Sequence, residues 1–150
     1  MKYLKTFETQ QTPSDILDLF TDRIQNIILD DYELQVQRTK GSYKIVIIDN
    51  NKIIARLYLQ DIKKKGDKFY AEVRRVHVND EYRDKGLGSK LMQSVIDIFG
   101  DFNLYLYPNP NRIKNLNSQN KEEYRNRLVN FYGKYGFRKV GDSNRMERYL

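Results

Sequence analysis

Apolar residues recur along this chain at helical spacing, then in alternation, then at helical spacing again, which predicts a block of strands set between helices. A first strand is expected near Lys2 to Phe7. After Pro13-Ser14-Asp15, the residues Ile16, Leu19, Phe20, Ile24, Ile27 and Ile28 fall on one face, predicting one or two helices over residues 14–30. From there the period changes to two. Glu33 to Arg38 is a short candidate strand, and Lys44 to Asp49 and Lys52 to Gln60 form a hairpin about Asn50-Asn51. Lys63 to Lys68 reads as a solvated polar turn leading into a further strand, Phe69 to Val78.

Helical spacing returns at Gly86 to Phe99, where Leu87, Leu91, Val95 and Ile98 form one stripe and Gly100 follows as a stop. A strand over Asn103 to Tyr107 precedes a loop rich in Asn and Pro, Pro108 to Gln119. The stripe Tyr124, Leu128, Phe131 and Tyr135 predicts a helix over Asn120 to Tyr135, ended by Gly136. Phe137 to Val140 and Arg145 to Tyr149 close the chain as a hairpin about Gly141 to Asn144. No repeat or linker divides this pattern, so one α/β domain over residues 1–150 is expected.

Composition narrows the chemistry. With 12 Tyr, 7 Phe and 39% hydrophobic residues, the chain carries enough apolar surface to fold. No apolar run approaches the roughly 20 residues of a membrane-spanning helix. The absence of Cys excludes a disulfide framework, a thiolate zinc site and a cysteine nucleophile. A single His leaves little for a metal centre or a serine triad, so chemistry without a metal is expected. The opening MKYLKTFETQQTPSD lacks the apolar core of a leader, which points to a cytoplasmic protein. Residues 1–60 hold 8 basic and 8 acidic side chains, whereas residues 61–150 hold 19 and 12. The whole +7 excess therefore lies in the second part, where an anionic partner should bind.

The segment richest in chemistry is Val76-His77-Val78 followed by Arg83-Asp84-Lys85-Gly86-Leu87-Gly88-Ser89, a strand running through a glycine turn into a helix. Without Cβ atoms at Gly86 and Gly88 the turn can tighten, so its amides converge with the unpaired amides and positive dipole end of the helix. A phosphate would fit that nest. The spacing is not that of a Walker A loop, and Leu91 occupies the position of the third glycine in a dinucleotide fingerprint.

Arg83 to Gly88 resembles the acyl-CoA loop of the GNAT N-acetyltransferase superfamily, Q/R-x-x-G-x-G/A. Tyr132-Gly133-Lys134-Tyr135-Gly136-Phe137, beginning 44 residues after Gly88, is similar to the family's late Y-x-K-x-G-F element. Together the motifs and element order cover residues 44–150. The resemblance implies a GNAT fold: a mixed central sheet of about six or seven strands, splayed between two central parallel strands and flanked by about four helices. It also implies acetyl-CoA as co-substrate and a primary amine as acceptor. The amides of Arg83, Asp84, Lys85, Gly86, Leu87, Gly88 and Ser89 would hold the CoA diphosphate. Main-chain groups of Val76, His77 and Val78 would pair with the pantetheine arm, and Val78 or a neighbour would donate to the oxyanion.

By the same resemblance Tyr132 is the general acid. A phenol of pKa about 10 stays protonated at neutral pH and can serve a thiolate whose parent acid lies near 8.5. Glu72 corresponds to a strand glutamate that serves as general base in some members. Strict alternation would place Glu72, Arg74, Val76 and Val78 on one face unless a bulge intervenes. Glu72 reads equally as the ion-pair partner of Arg74. His77 points opposite Val76 and Val78 and reads as a packing or polar contact, with a catalytic role as the other reading. Arg125 stands where many members have Asn, and the loop from Pro108 is long, so the acceptor side does not transfer. Two other readings stand beside the enzyme: a non-catalytic acyl-CoA-binding domain, and a nucleic-acid module using Lys63 to Lys68, Arg74, Arg75, Arg112, Lys114, Arg125 and Arg127 with Tyr105 and Tyr107 stacking. Monomer and homodimer are both compatible with the sequence.

Overall fold

Alternation is sustained longest in the middle of the chain, and there the strands are longest. The computed structural model describes residues 32–39, 41–109 and 117–150. The strand expected at Lys2 to Phe7, the helical segment 14–30 and residues 110–116 of the loop lie outside the described residues. The strands are β1 (Glu33–Thr39), β2 (Ser42–Asp49), β3 (Lys52–Lys65), β4 (Lys68–Val78), β5 (Asn103–Leu106), β6 (Arg138–Lys139) and β7 (Met146–Arg148). They form one 7-stranded sheet in the order β1-β2-β3-β4-β5-β7-β6. Among the described strands only β4 and β5 run parallel, and such a pair needs a crossover, which the helix α1 (Leu87–Phe99) supplies. A second helix, α2 (Ser118–Gly133), precedes the last two strands.

Local chemistry sets the turns. Asn50 and Asn51 both take left-handed backbone (φ 49° and 64°), the requirement of a two-residue hairpin between β2 and β3. The turn between β3 and β4 is shorter than the lysine run suggests. Lys63, Lys64 and Lys65 continue β3 opposite Tyr70, Phe69 and Lys68, leaving only Gly66 and Asp67 to reverse the chain. The lysine stems lie along aromatic neighbours, with Lys64 Nζ 5.8 Å from the Phe69 ring centre and Lys65 Nζ 5.5 Å from that of Tyr70. Helix α2 starts at Ser118, two residues before the expected Asn120, because Asn117 caps it: its side chain accepts from the Asn120 amide at 2.8 Å.

One face of the sheet carries Tyr43, Ile45, Ile47, Leu57, Leu59, Ala71, Val73, Leu104 and Leu106, all buried, against Leu87, Leu91, Val95 and Ile98 of α1. Each large side chain removed from water there contributes about 1.5–3 kcal/mol before entropy is charged against it. Tyr43 stacks on Phe99 (5.7 Å between ring centres) and Phe69 on Phe102 (5.1 Å), fixing the end of α1 on the sheet. Among the described residues no helix is long and apolar enough to cross a membrane.

Candidate active site

The site arises from a mismatch of strand lengths. β4 runs for 11 residues and β5 for 4, and they pair only where Tyr70, Ala71 and Glu72 meet Asn103, Leu104 and Tyr105. Beyond Glu72, β4 continues to Val78 without β5 beside it. The opening is a cavity of about 460 Å³ bordered by Glu72, Val76, Leu106, Tyr107, Tyr124 and Tyr132. On its far wall the Asn144 side chain donates to the Pro108 carbonyl at 3.0 Å.

A bulge decides which side chains of β4 share a face. Arg75 sits in left-handed backbone at φ 55°, and the register with β3 shifts between Arg74 and His77. Glu72, Arg74 and His77 therefore lie opposite Gln60, Tyr58 and Arg56, while Val73 and Val78 lie opposite Leu59 and Ala55 on the core face. Of the face expected from strict alternation, Glu72, Arg74, Val76 and Val78, Arg74 stays with Glu72 and Val78 does not: the bulge turns His77 onto the side of Glu72 and Val78 away from it.

Glu72 is buried, and its Oε2 lies 3.2 Å from Arg74 Nε. Arg74 also donates to Gln60 Oε1 at 3.1 Å. Burial pushes the Glu72 carboxyl above the ordinary range, Arg74 opposes this, and a hydrogen bond and charge from Asp61 add to the rise. The ion pair and the cleft-facing carboxylate, read from sequence as alternatives, coexist. Asp61 was not legible as a partner, because its proximity comes from a bulge in β3 where it takes φ 51°.

At the end of β4 the Asn79 amide donates to the Ile54 carbonyl at 2.9 Å, a bond directed toward β3. The alternation of extended backbone then turns the preceding Val78 N–H to the side where β5 has ended. A short 3-10 turn, Asp80–Tyr82, follows, pinned by the Tyr82 hydroxyl donating to Asp49 Oδ2 at 2.8 Å. Asp84 (φ 65°) and Gly86 (φ 72°) are both left-handed, and Gly86 is the cap of α1. The Arg83 amide is used by the Asp80 carbonyl at 3.3 Å, and its guanidinium pairs with Asp80 at 2.8 Å. From Asp84 to Ser89 the amides donate to no acceptor among the described residues, and no acidic residue occupies the first turn of α1. Lys85 lies beside this turn, with Nζ 5.3 Å from the centre of the Tyr82 ring.

Helix α2 brings the late motif onto the glycine turn. The Tyr135 hydroxyl donates to the Ser89 carbonyl at 3.3 Å, and a Cβ built on Gly88 would lie 3.8 Å from Phe131 Cζ. Tyr132 is half-buried, edge-on to Phe131 (5.2 Å) and Phe137 (6.3 Å). The structure thus brings Glu72, Val76 and Tyr132 to one cavity, while His77 borders a second pocket. Tyr105, expected as a stacking platform, has its ring covered by Arg145, whose guanidinium carbon is 4.2 Å from the ring centre and which pairs with Glu147 at 3.0 Å. Among the described residues no three metal-ligating side chains come together.

A sequence model for the acetyltransferase (GNAT) domain matches residues 40–139. The fold is similar to that of a GNAT family acetyltransferase from Elizabethkingia anophelis solved with acetyl-CoA bound (TM-score 0.55, 14% identity, 81% of this chain and 100% of that one). It is also similar to a Trypanosoma brucei acetyltransferase (TM-score 0.52, 18% identity, 75% and 96% of the two chains). A third similar structure is a GNAT family acetyltransferase from Staphylococcus aureus Mu50 (TM-score 0.50, 18% identity, 99% and 89%). No curated protein matches the sequence.

Proposed function

The chain belongs to the GNAT acetyltransferase family, and on that premise we propose that it moves an acetyl group from acetyl-CoA to a primary amine by direct attack in a ternary complex. The observation that carries this reading is the shared cavity where β4 and β5 part, bordered by Glu72 and Tyr132 and joined through α2 to a turn of unpaired amides.

In this reading the amides of Asp84 to Ser89 and the positive end of α1 hold the CoA diphosphate, with Arg83 and Lys85 adding charge at the rim. The main chain of Val76, His77 and Val78 pairs with the pantetheine arm as an added strand. Glu72 takes a proton from the acceptor ammonium, and burial, by raising its pKa, makes it a stronger base than an ordinary carboxylate. The amine attacks the thioester carbonyl, Val78 N–H stabilises the oxyanion, and collapse of the intermediate breaks the C–S bond while the nitrogen sheds its second proton to water, from which Tyr132 is reprotonated after donating its own. Tyr132 donates its proton to the departing thiolate.

Thermal denaturation with and without acetyl-CoA, together with free-thiol release in an amine panel, tests the reading. At a ligand concentration of a hundred times Kd the protein should gain about 2.7 kcal/mol. Absence of any stabilisation in folded protein would sink the proposal. Stabilisation without thiol release from any amine would leave the acyl-CoA-binding, non-catalytic alternative in its place.

A further inference from the structure

Arg75 is a non-glycine residue held in left-handed backbone within a strand, a conformation that costs about 1–3 kcal/mol and clusters at functional sites. Its effect is local and specific. The bulge brings His77 beside Arg56, and together Arg56, Tyr58, Arg75 and His77 border a second pocket of about 400 Å³. This pocket lies on the face of the sheet opposite α1, because Arg56 and Tyr58 alternate along β3 with the core residues Ala55, Leu57 and Leu59.

Among the described residues no carboxylate neutralises the charge there. Arg74 is tied to Glu72 and Gln60, but neither Arg56 nor Arg75 has a carboxylate at ion-pair distance among the described residues. Lys44 Nζ lies 5.7 Å and the Arg75 guanidinium carbon 5.6 Å from the centre of the same Tyr58 ring. An aromatic platform of this kind orients cations without cancelling their charge. Guanidinium groups are matched to carboxylate and phosphate oxygens, which they can bind through two parallel hydrogen bonds. Arg75 lines both cavities, so an anion in the second pocket is one side chain away from the cleft that holds Glu72 and Tyr132.

Building on the transferase reading, we infer that the acceptor is an amine bearing a carboxylate or phosphate group, held by Arg56 and Arg75 while its amino group reaches the cleft. Polyamines, which carry only positive charge, are disfavoured by the same field.

The test uses two matched probe pairs: β-alanine with its amide, and O-phosphoethanolamine with ethanolamine. Binding to the full chain is measured calorimetrically without acetyl-CoA, and thiol release is followed with it. The anionic member of at least one pair should bind about tenfold tighter, the scale of a charge-assisted hydrogen bond, and the preferred pair identifies carboxylate or phosphate. Arg56→Gln should abolish the preference while leaving acetyl-CoA affinity unchanged. Arg75→Asn, which removes the charge but tolerates the left-handed backbone, should do the same. Equal affinity within both pairs, no binding by any of the four probes, or equal losses for both members of a pair in Arg56→Gln would overturn the inference. Preference for the anionic probes with no acetyl-CoA binding would retire the transferase reading and leave the anion site standing.

Discussion

The two glycines of the turn are doing different things, and alanine at each separates them. Gly86 has φ 72° with nothing within 4 Å of a built Cβ, so Gly86→Ala meets no steric obstacle but forces alanine into left-handed backbone. That costs about 1–2 kcal/mol, or roughly 2–8 °C in melting temperature for a chain of this size. Gly88 lies in the first turn of α1 without a positive φ, and its Cβ would rest 3.8 Å from Phe131 Cζ, an ordinary contact. Gly88→Ala should therefore gain about 0.5–1 kcal/mol from helix propensity in the unliganded protein. If the amides of this turn hold the diphosphate as proposed, the added methyl group crowds it and removes one charge-assisted hydrogen bond worth about 1.5–3 kcal/mol. Acetyl-CoA affinity should fall about ten- to a hundredfold. Scanning calorimetry with and without acetyl-CoA, and titration calorimetry for Kd, read both quantities. Wild-type affinity in Gly88→Ala would refute the cradle. A destabilised Gly88→Ala would show that packing, not ligand access, requires the glycine.

Tyr132→Phe keeps the ring contacts with Phe131 and Phe137, so the melting temperature should hold while turnover drops about a hundredfold with little change in acetyl-CoA affinity. Turnover should rise with pH through an acid limb set by Glu72, displaced above the usual carboxylate range, and Glu72→Gln should abolish that limb in a pH–rate profile. Because the folded-state pKa is raised, the stability linked to this group is present below its unfolded value and lost as pH rises through the folded one. Denaturant titrations should accordingly show Glu72→Gln gaining on the wild type across that interval. Leu91→Ala empties a fully buried position between α1 and the sheet and should cost about 2–5 kcal/mol by chemical denaturation.

Periodicity located most of the described elements, because the sheet is half-buried and α1 has one apolar stripe. The hairpin at Asn50-Asn51 and the stripe Leu87, Leu91, Val95 and Ile98 stand where the pattern places them. It failed at the bulges. A single inserted residue at Arg75 leaves no mark in a sequence period, yet beyond it His77 takes the side of Glu72 and Val78 leaves it. The lysine run reads as a turn in sequence because its charge outweighs the aromatic neighbours that its stems cover. The last strands are shorter than expected, Arg138–Lys139 and Met146–Arg148, since only Phe137 and Met146 in that stretch are buried. Local motifs exposed the glycine turn and Tyr132, whereas the Asp61 contact and the Arg145 cover on Tyr105 depend on pairing between distant strands.

Three rungs join the two halves of the sheet, and that seam behaves as a wedge with its apex at Glu72. One jaw is β1 to β4, and the other is β5 to β7 with α2. A slight tilt of one jaw about the apex moves Tyr132 very little relative to Glu72 but a good deal relative to Val78 at the mouth. Substitutions behind the apex, at Tyr70 or Ala71, therefore have leverage over the mouth without touching anything that enters it.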